Sequence, residues 1–255
     1  MIRDAHQTGT RTATTFALVS AILMIAHQVA GKATRDAIFL SHYEVSDLPK
    51  VVMTAAVLSM MTVIMMSRLL VSYGPSRVIP AAFGFSTFLF IGNWWLYGTA
   101  PAKAGILLYL QMAIFGAVLI SGFWSVVNER FDPHTAKHTI ARVAAAATLG
   151  GVLGGLLAGR VAAVLDLRSM LLVLAGLHFA CVLSVRAIGD PRRGSRSEPK
   201  PTMHSGLQLL VTNRYLQLMG LLMVLVAVMA ALLDYAFKSA AAAKLTSGEE
   251  LVVFF

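Results

Sequence analysis

GFWSVVNERFDPHTAKHTIARVAAAATLGGVLGGLLAGR, residues 122–160, is the stretch from which the rest of the chain can be read. It joins the end of one apolar segment, a short charged turn, and the start of a second segment crowded with small side chains. An Asp side chain accepts from the first free N–H groups of a helix. Pro fits the first helical position because the donor it lacks would be unpaired there. Asp132 and Pro133 therefore predict a helix that starts at Pro133. Within it Gly150, Gly154 and Ala158 recur every fourth residue, as do Gly151, Gly155 and Gly159. Residues four apart share a helix face, so one side of this helix is nearly bare backbone and another helix can pack unusually close to it.

Composition sets the class in which that close contact occurs. With 57% hydrophobic and 13% charged residues among 255, and a mean hydropathy of +0.73, too few polar groups exist to cover a soluble domain. The expected fold is an all-α membrane protein. A helix needs about 20 apolar residues to cross roughly 30 Å of hydrocarbon. Seven runs meet that length, at residues 13–40, 51–71, 78–97, 104–127, 139–165, 169–188 and 215–237. An eighth begins at Leu251 and reaches the last residue, Phe255, so the chain reads as a fragment of something longer. The first run follows Arg3 and Arg11, but it exceeds a secretory signal core and has no small-residue cleavage site before Lys32. The lone Cys181 leaves no internal disulfide to form.

Charge orients these spans. With the N-terminus cytoplasmic, thirteen of the 21 Lys and Arg residues fall on the inner side, among them Arg68, Arg77, Arg130, Arg142 and Arg186. Cytoplasmic loops carry the excess of positive charge, so the N-terminus is expected inside. Trp94, Trp95 and Tyr97 then mark an outer interface, and Tyr73, Trp124 and Tyr215 an inner one. One connection is long: residues 189–214, rich in Pro, Ser, Arg and Lys, which reads as a solvated basic linker beside anionic lipid rather than a nucleic-acid site. The chain accordingly divides into a six-helix bundle at 1–188, the linker at 189–214, and a seventh helix with the start of an eighth at 215–255. Pro80 is expected in the first turn of its helix and the other prolines in loops or at helix starts, so no span is broken at its centre.

Six helices, a basic cytoplasmic loop and a seventh helix that opens a second, missing bundle resemble the layout of a major-facilitator-type transporter. The turn SRLLVSYGPSRV at 67–78 stands where that superfamily has a Gly- and Arg-rich connection. KATRDAIFL at 32–40, FWSVVNERFDPHTAKH at 123–138 and LLDYAFK at 232–238 resemble the ATP/ADP translocase family of plastids and intracellular bacteria. That resemblance implies a nucleotide or other phosphate-bearing anion as solute and a bacterial inner membrane as location. Its first-helix basic cluster, thought to meet the phosphates, maps onto Lys32, Arg35 and Asp36. The family also places an acid in its fourth helix. Here residues 109–123 hold none, and Gln111 is the strongly polar side chain there.

The residues of the first helix stand out without any family. His27, Gly31 and Arg35 are spaced i, i+4, i+8, and Gln28, Lys32 and Asp36 form the adjoining row. A charge at the bilayer centre costs about 2.5–3.5 kcal/mol on insertion scales. Lys32 and Asp36, one turn apart, are expected to offset each other and leave Arg35 as the surplus charge facing a central cavity. The alternative is that the helix ends near Lys32 and the cluster sits among outer headgroups; residues 37–40, AIFL, argue for a helix that continues. Asp234 and Lys238 repeat an acid-base pair near the outer end of the seventh helix, the counterpart of the first if the two halves are parallel repeats.

The candidate substrate contacts are thus His27, Gln28, Lys32, Arg35, Asp36, Gln111, Asp234 and Lys238. The helix-packing positions are Gly150, Gly151, Gly154, Gly155, Ala158 and Gly159, with the partner helix of Gly150, Gly154 and Ala158 expected in the other half. His134 and His138 lie near Glu129 and Asp132 but lack the HExxH pattern, so no metal and no cofactor are expected. Nor is there a Walker loop or a placeable Ser-His-Asp set, which leaves no case for an enzyme. The expected partners are the lipid bilayer, an anionic small-molecule solute and the missing C-terminal helices, with no nucleic acid. The expected function is alternating-access transport; the alternative is a transporter-derived membrane anchor or sensor.

Overall fold

The computed structural model describes residues 2–131, 133–164, 166–189, 211–245 and 254. Among them there is no strand. The elements are α1 (Ile2–Leu40), a 3-10 turn (Val45–Asp47), α2 (Leu48–Tyr73), α3 (Pro75–Thr99), α4 (Pro101–Arg130), α5 (Pro133–Val164), α6 (Leu167–Ile188) and α7 (Arg214–Ala242). All seven α-helices contain an apolar span of 22 to 30 residues, long enough to cross a bilayer. Each predicted run falls within one of them, save residue 165 at the end of the fifth. The chain divides into two compact units, one holding α1 to α6 and the other α7.

Helix boundaries follow from local chemistry. α2 stops at Gly74, whose φ of +79° is a conformation that side chains with a Cβ rarely adopt, and whose N–H still donates to the Leu70 carbonyl. Pro75 opens α3 immediately, and Pro101 opens α4 after Ala100. Because α3 starts at Pro75 rather than Val78, Pro80 lies in its second turn and not its first, a correction to the expectation. At α6 the Asp166 carboxylate accepts from the Ser169 N–H at 3.2 Å and from the Ser169 hydroxyl, which holds its pKa below the ordinary carboxylate value. The predicted start of α5 at Pro133 is observed. Its proposed cap Asp132, the side chain of His134, most of the linker and all but residue 254 of the apolar run at 251–255 lie outside the described residues.

α1 is the hub of the six-helix unit, lying against α4, α5 and α6, while α3 packs on α4 and α6 and α2 rests chiefly on α4. Ala13, Ala17, Ala21, Ala26, Ala30, Ala33 and Ala37 of α1 are all buried. Small residues let backbones approach, and in lipid it is this packing, more than the hydrophobic effect, that holds helices together. The close partner of the α5 glycines is therefore α1 of the same unit, not a helix of a second half. A Cβ on Gly150 would lie 2.5 Å from the Ile22 carbonyl oxygen. Ala158, next in that row, is buried as well. Gly151 has only the Ile25 Cγ2 at 3.8 Å, and Gly155 and Gly159 have open space where a Cβ would stand. Two side-chain clamps tie helix ends: Arg168 of α6 donates to the Trp94 carbonyl at 3.2 Å and lies over its ring, and Arg130 of α4 donates to the Ile188 carbonyl at 3.1 Å.

Candidate functional site

α1 continues unbroken through the charged cluster to Leu40, and Ala37, Ile38 and Phe39 are fully buried. Apolar packing beyond Arg35 is thus what keeps the helix going. The pairing within the cluster differs from expectation. Asp36 is held by Arg35, whose Nε donates to one carboxylate oxygen at 2.8 Å and whose terminal nitrogen donates to the other at 3.1 Å. The guanidinium also lies 4.2 Å from the centre of the Tyr109 ring on α4. A planar fork can grip both carboxylate oxygens and stack on an aromatic face at once, which an ammonium cannot. Lys32 is consequently left exposed, with no carboxylate within 4.0 Å among the described residues. The surplus cation is Lys32 and not Arg35.

Gln28 is buried beside α4, with Oε1 3.1 Å from where a Cβ on Gly116 would stand. In α7, Lys238 donates to Asp234 at 2.5 Å, the pairing expected from their spacing. Gln111 is committed elsewhere. Its side-chain oxygen accepts from Asn93 of α3 at 2.7 Å, and its nitrogen donates to the Ser86 carbonyl at 3.1 Å and hydroxyl at 3.3 Å. Gln111 is buried, so these bonds satisfy a group that would otherwise be costly in lipid.

Ser86 connects this network to two histidines. Its hydroxyl lies 3.0 Å from Nδ1 of His178 on α6. The His178 ring stacks on His27 of α1, with centroids 3.5 Å apart and planes inclined by 23°. Phe90 meets both rings edge-on and Phe83 meets His178. Both histidines are buried. Among the described residues, neither ring nitrogen of His27 has a partner, nor does Nε2 of His178.

Ser86, Asn93 and His178 were missed by sequence reasoning, although a signal existed. Ser86 and Asn93 are seven residues apart, hence on one face of α3, and His178 is a strongly polar residue in the middle of an apolar run. A recess of about 480 Å³ along α2, lined by Met61, Ile64, Met65, Arg68, Leu69 and Ser72, includes none of the cluster residues. No family model, curated protein or solved structure matches this chain.

Proposed function

We propose that the chain belongs to a solute carrier of the major-facilitator kind. It moves an anionic, phosphate-bearing metabolite by alternating access across a bacterial inner membrane, with its N-terminus in the cytoplasm. The observation that carries the reading is Lys32: an exposed cation, without a carboxylate partner among the described residues, on the helix that three others surround. A neutralised Arg35–Asp36 pair beside it keeps the local charge at one positive unit and leaves that unit free for a solute. Seven apolar spans with prolines kept to helix starts and first or second turns accord with two intact bundles that rock, rather than with unwound helices. The translocase resemblance adds nucleotides to the candidate solutes, while the lack of an acid in the middle of α4 favours a simpler phosphate compound.

Purified protein in liposomes should accumulate a labelled phosphate compound, with inorganic phosphate and ATP as the first pair to compare. Lys32→Gln should lower uptake by roughly tenfold or more, the scale implied by losing a hydrogen bond to a charged group. Lys32→Arg should retain most of it. Equal uptake by Lys32→Gln and wild type would remove the basis of the anion assignment. Failure to take up either solute while the fold is intact would favour the anchor or sensor.

A further inference from the structure

His27 stands near the middle of the apolar span of α1 and His178 near the middle of α6. Burying two imidazoles at that depth is expensive, and three of their four ring nitrogens have no partner among the described residues. Each unmet donor or acceptor forfeits about 1–3 kcal/mol. Stacking alone does not explain the choice of residue, because Phe83 and Phe90 fill the same aromatic layer with no polar atoms. The nitrogens therefore have a use in another arrangement of the helices. An ionisable residue within a span generally marks an ion or proton path.

We propose that the His27–His178 pair is a proton-binding site. In the arrangement seen here both rings are buried. When α1 shifts against α6, water reaches the pair and one hydronium gives up its proton, forming one imidazolium and one water. The second imidazole, face to face at 3.5 Å, remains neutral, since two cations so close would repel strongly. The Ser86 hydroxyl, which accepts from Gln111 Nε2, can donate to Nδ1 of His178 when that nitrogen is bare or accept from it when it carries the hydrogen. Release of the proton on the opposite side of the membrane would couple its gradient to solute movement. That last step rests on the carrier reading, but the binding site itself does not.

The surroundings leave the pair free to titrate as a unit. The neighbouring groups on α3 and α4 are Ser86, Asn93 and Gln111, none of which ionises in the working range. α5 contributes the glycines that touch α1, with Arg142 and Arg160 about two turns away from Gly150 and Gly154. Cys181 is one turn along α6, and its other ionisable residues, Arg168 and Arg186, are near its ends. On α1 itself Lys32, Arg35 and Asp36 lie about one to three turns along. The charged residues of α3 and α4 are in the end turns of those helices.

The test is proton uptake by the detergent-solubilised chain, followed with a pH dye on acidification from pH 8 to pH 5. Wild type should take up about one proton more than His27→Phe/His178→Phe, which keeps the stacked aromatic layer. Nitrogen-15 spectra of histidine-labelled wild type, read against His27→Phe and His178→Phe for assignment, should show one imidazolium per pair at the acidic end. Equal uptake by wild type and the double variant, or two resonances that stay neutral throughout, would overturn the site. Should the double variant not fold, the wild-type spectra decide alone, with the pair identified by the cross-peak that rings at 3.5 Å must give. Proton uptake without solute uptake in liposomes would keep the site and reject the carrier.

Discussion

Gly154 of α5 lies so close to Ala26 of α1 that a Cβ on the glycine would stand 2.6 Å from the alanine carbonyl oxygen and 2.8 Å from its Cα. Backbone cannot rotate out of the way as a side chain can. The two helices must therefore separate if anything larger than hydrogen is placed there. Gly154→Ala should destabilise the six-helix unit by about 1–3 kcal/mol, the usual cost of overpacking. Gly155→Ala, one residue on and facing open space, should gain up to about 1 kcal/mol from helix propensity. Unfolding midpoints in a mild detergent compare the two; shifts of the same sign would contradict the assigned interface.

Arg35 and Asp36 form the second target. Asp36 is buried, and replacing Arg35 takes away the guanidinium that grips both of its carboxylate oxygens. Arg35→Gln should cost about 3–5 kcal/mol, whereas changing both residues to apolar ones of similar size should cost much less. A double-mutant cycle on detergent unfolding gives the coupling. Lys32→Gln, at an exposed position, should leave stability within about 0.5 kcal/mol of wild type.

Gln111 is expected to matter for folding rather than for solute binding. Gln111→Leu strands the Asn93 amide and removes a donor from Ser86, which should cost about 1–3 kcal/mol. Uptake per folded molecule should stay near wild type. A fall in uptake at constant stability would return Gln111 to the list of solute contacts.

Asp166 gives a pH dependence with a definite sign. Its folded pKa is depressed, chiefly by the Ser169 hydroxyl, so the cap contributes above the unfolded carboxyl pKa. That contribution is lost as pH falls through the depressed folded value. Asp166→Ala should cost about 1 kcal/mol at neutral pH, and Asp166→Asn should keep most of the cap while removing its acid dependence. Thermal midpoints between neutral and acid pH measure both.

Topology is tested at Lys103, an exposed residue in the first turn of α4. With the N-terminus inside, Lys103→Cys in a Cys181→Ser background should react with an impermeant maleimide added from outside. Labelling only after permeabilisation would reverse the orientation.

The spans were legible because hydropathy over 20 residues is a strong signal and the prolines stand at the breaks, as Pro75 and Pro101 do. Pairings between side chains were not. Spacing places Lys32 and Asp36 one turn apart, but it says nothing of Tyr109 on a distant helix, whose ring helps fix Arg35 beside Asp36. The Gly150 face announced close contact without naming its partner. The partner is α1, with Ile22 opposite Gly150 and Ala26 opposite Gly154, on a helix whose many alanines were visible in the sequence.

The pairing of Arg35 with Asp36 is between neighbours in sequence, and that matters while the chain is being made. α1 leaves the ribosome before α4, α5 and α6 exist to shelter it, and chains emerge at roughly 5–20 residues per second. For that interval the helix must lodge in the translocation machinery or the lipid alone. Tyr109 is not yet available, but the carboxylate already is, so a guanidinium that would resist entry arrives as half of a neutral unit. A partner on a later helix could not have served in this way. Biogenesis, as well as the finished bundle, thus favours an acid adjacent to that arginine.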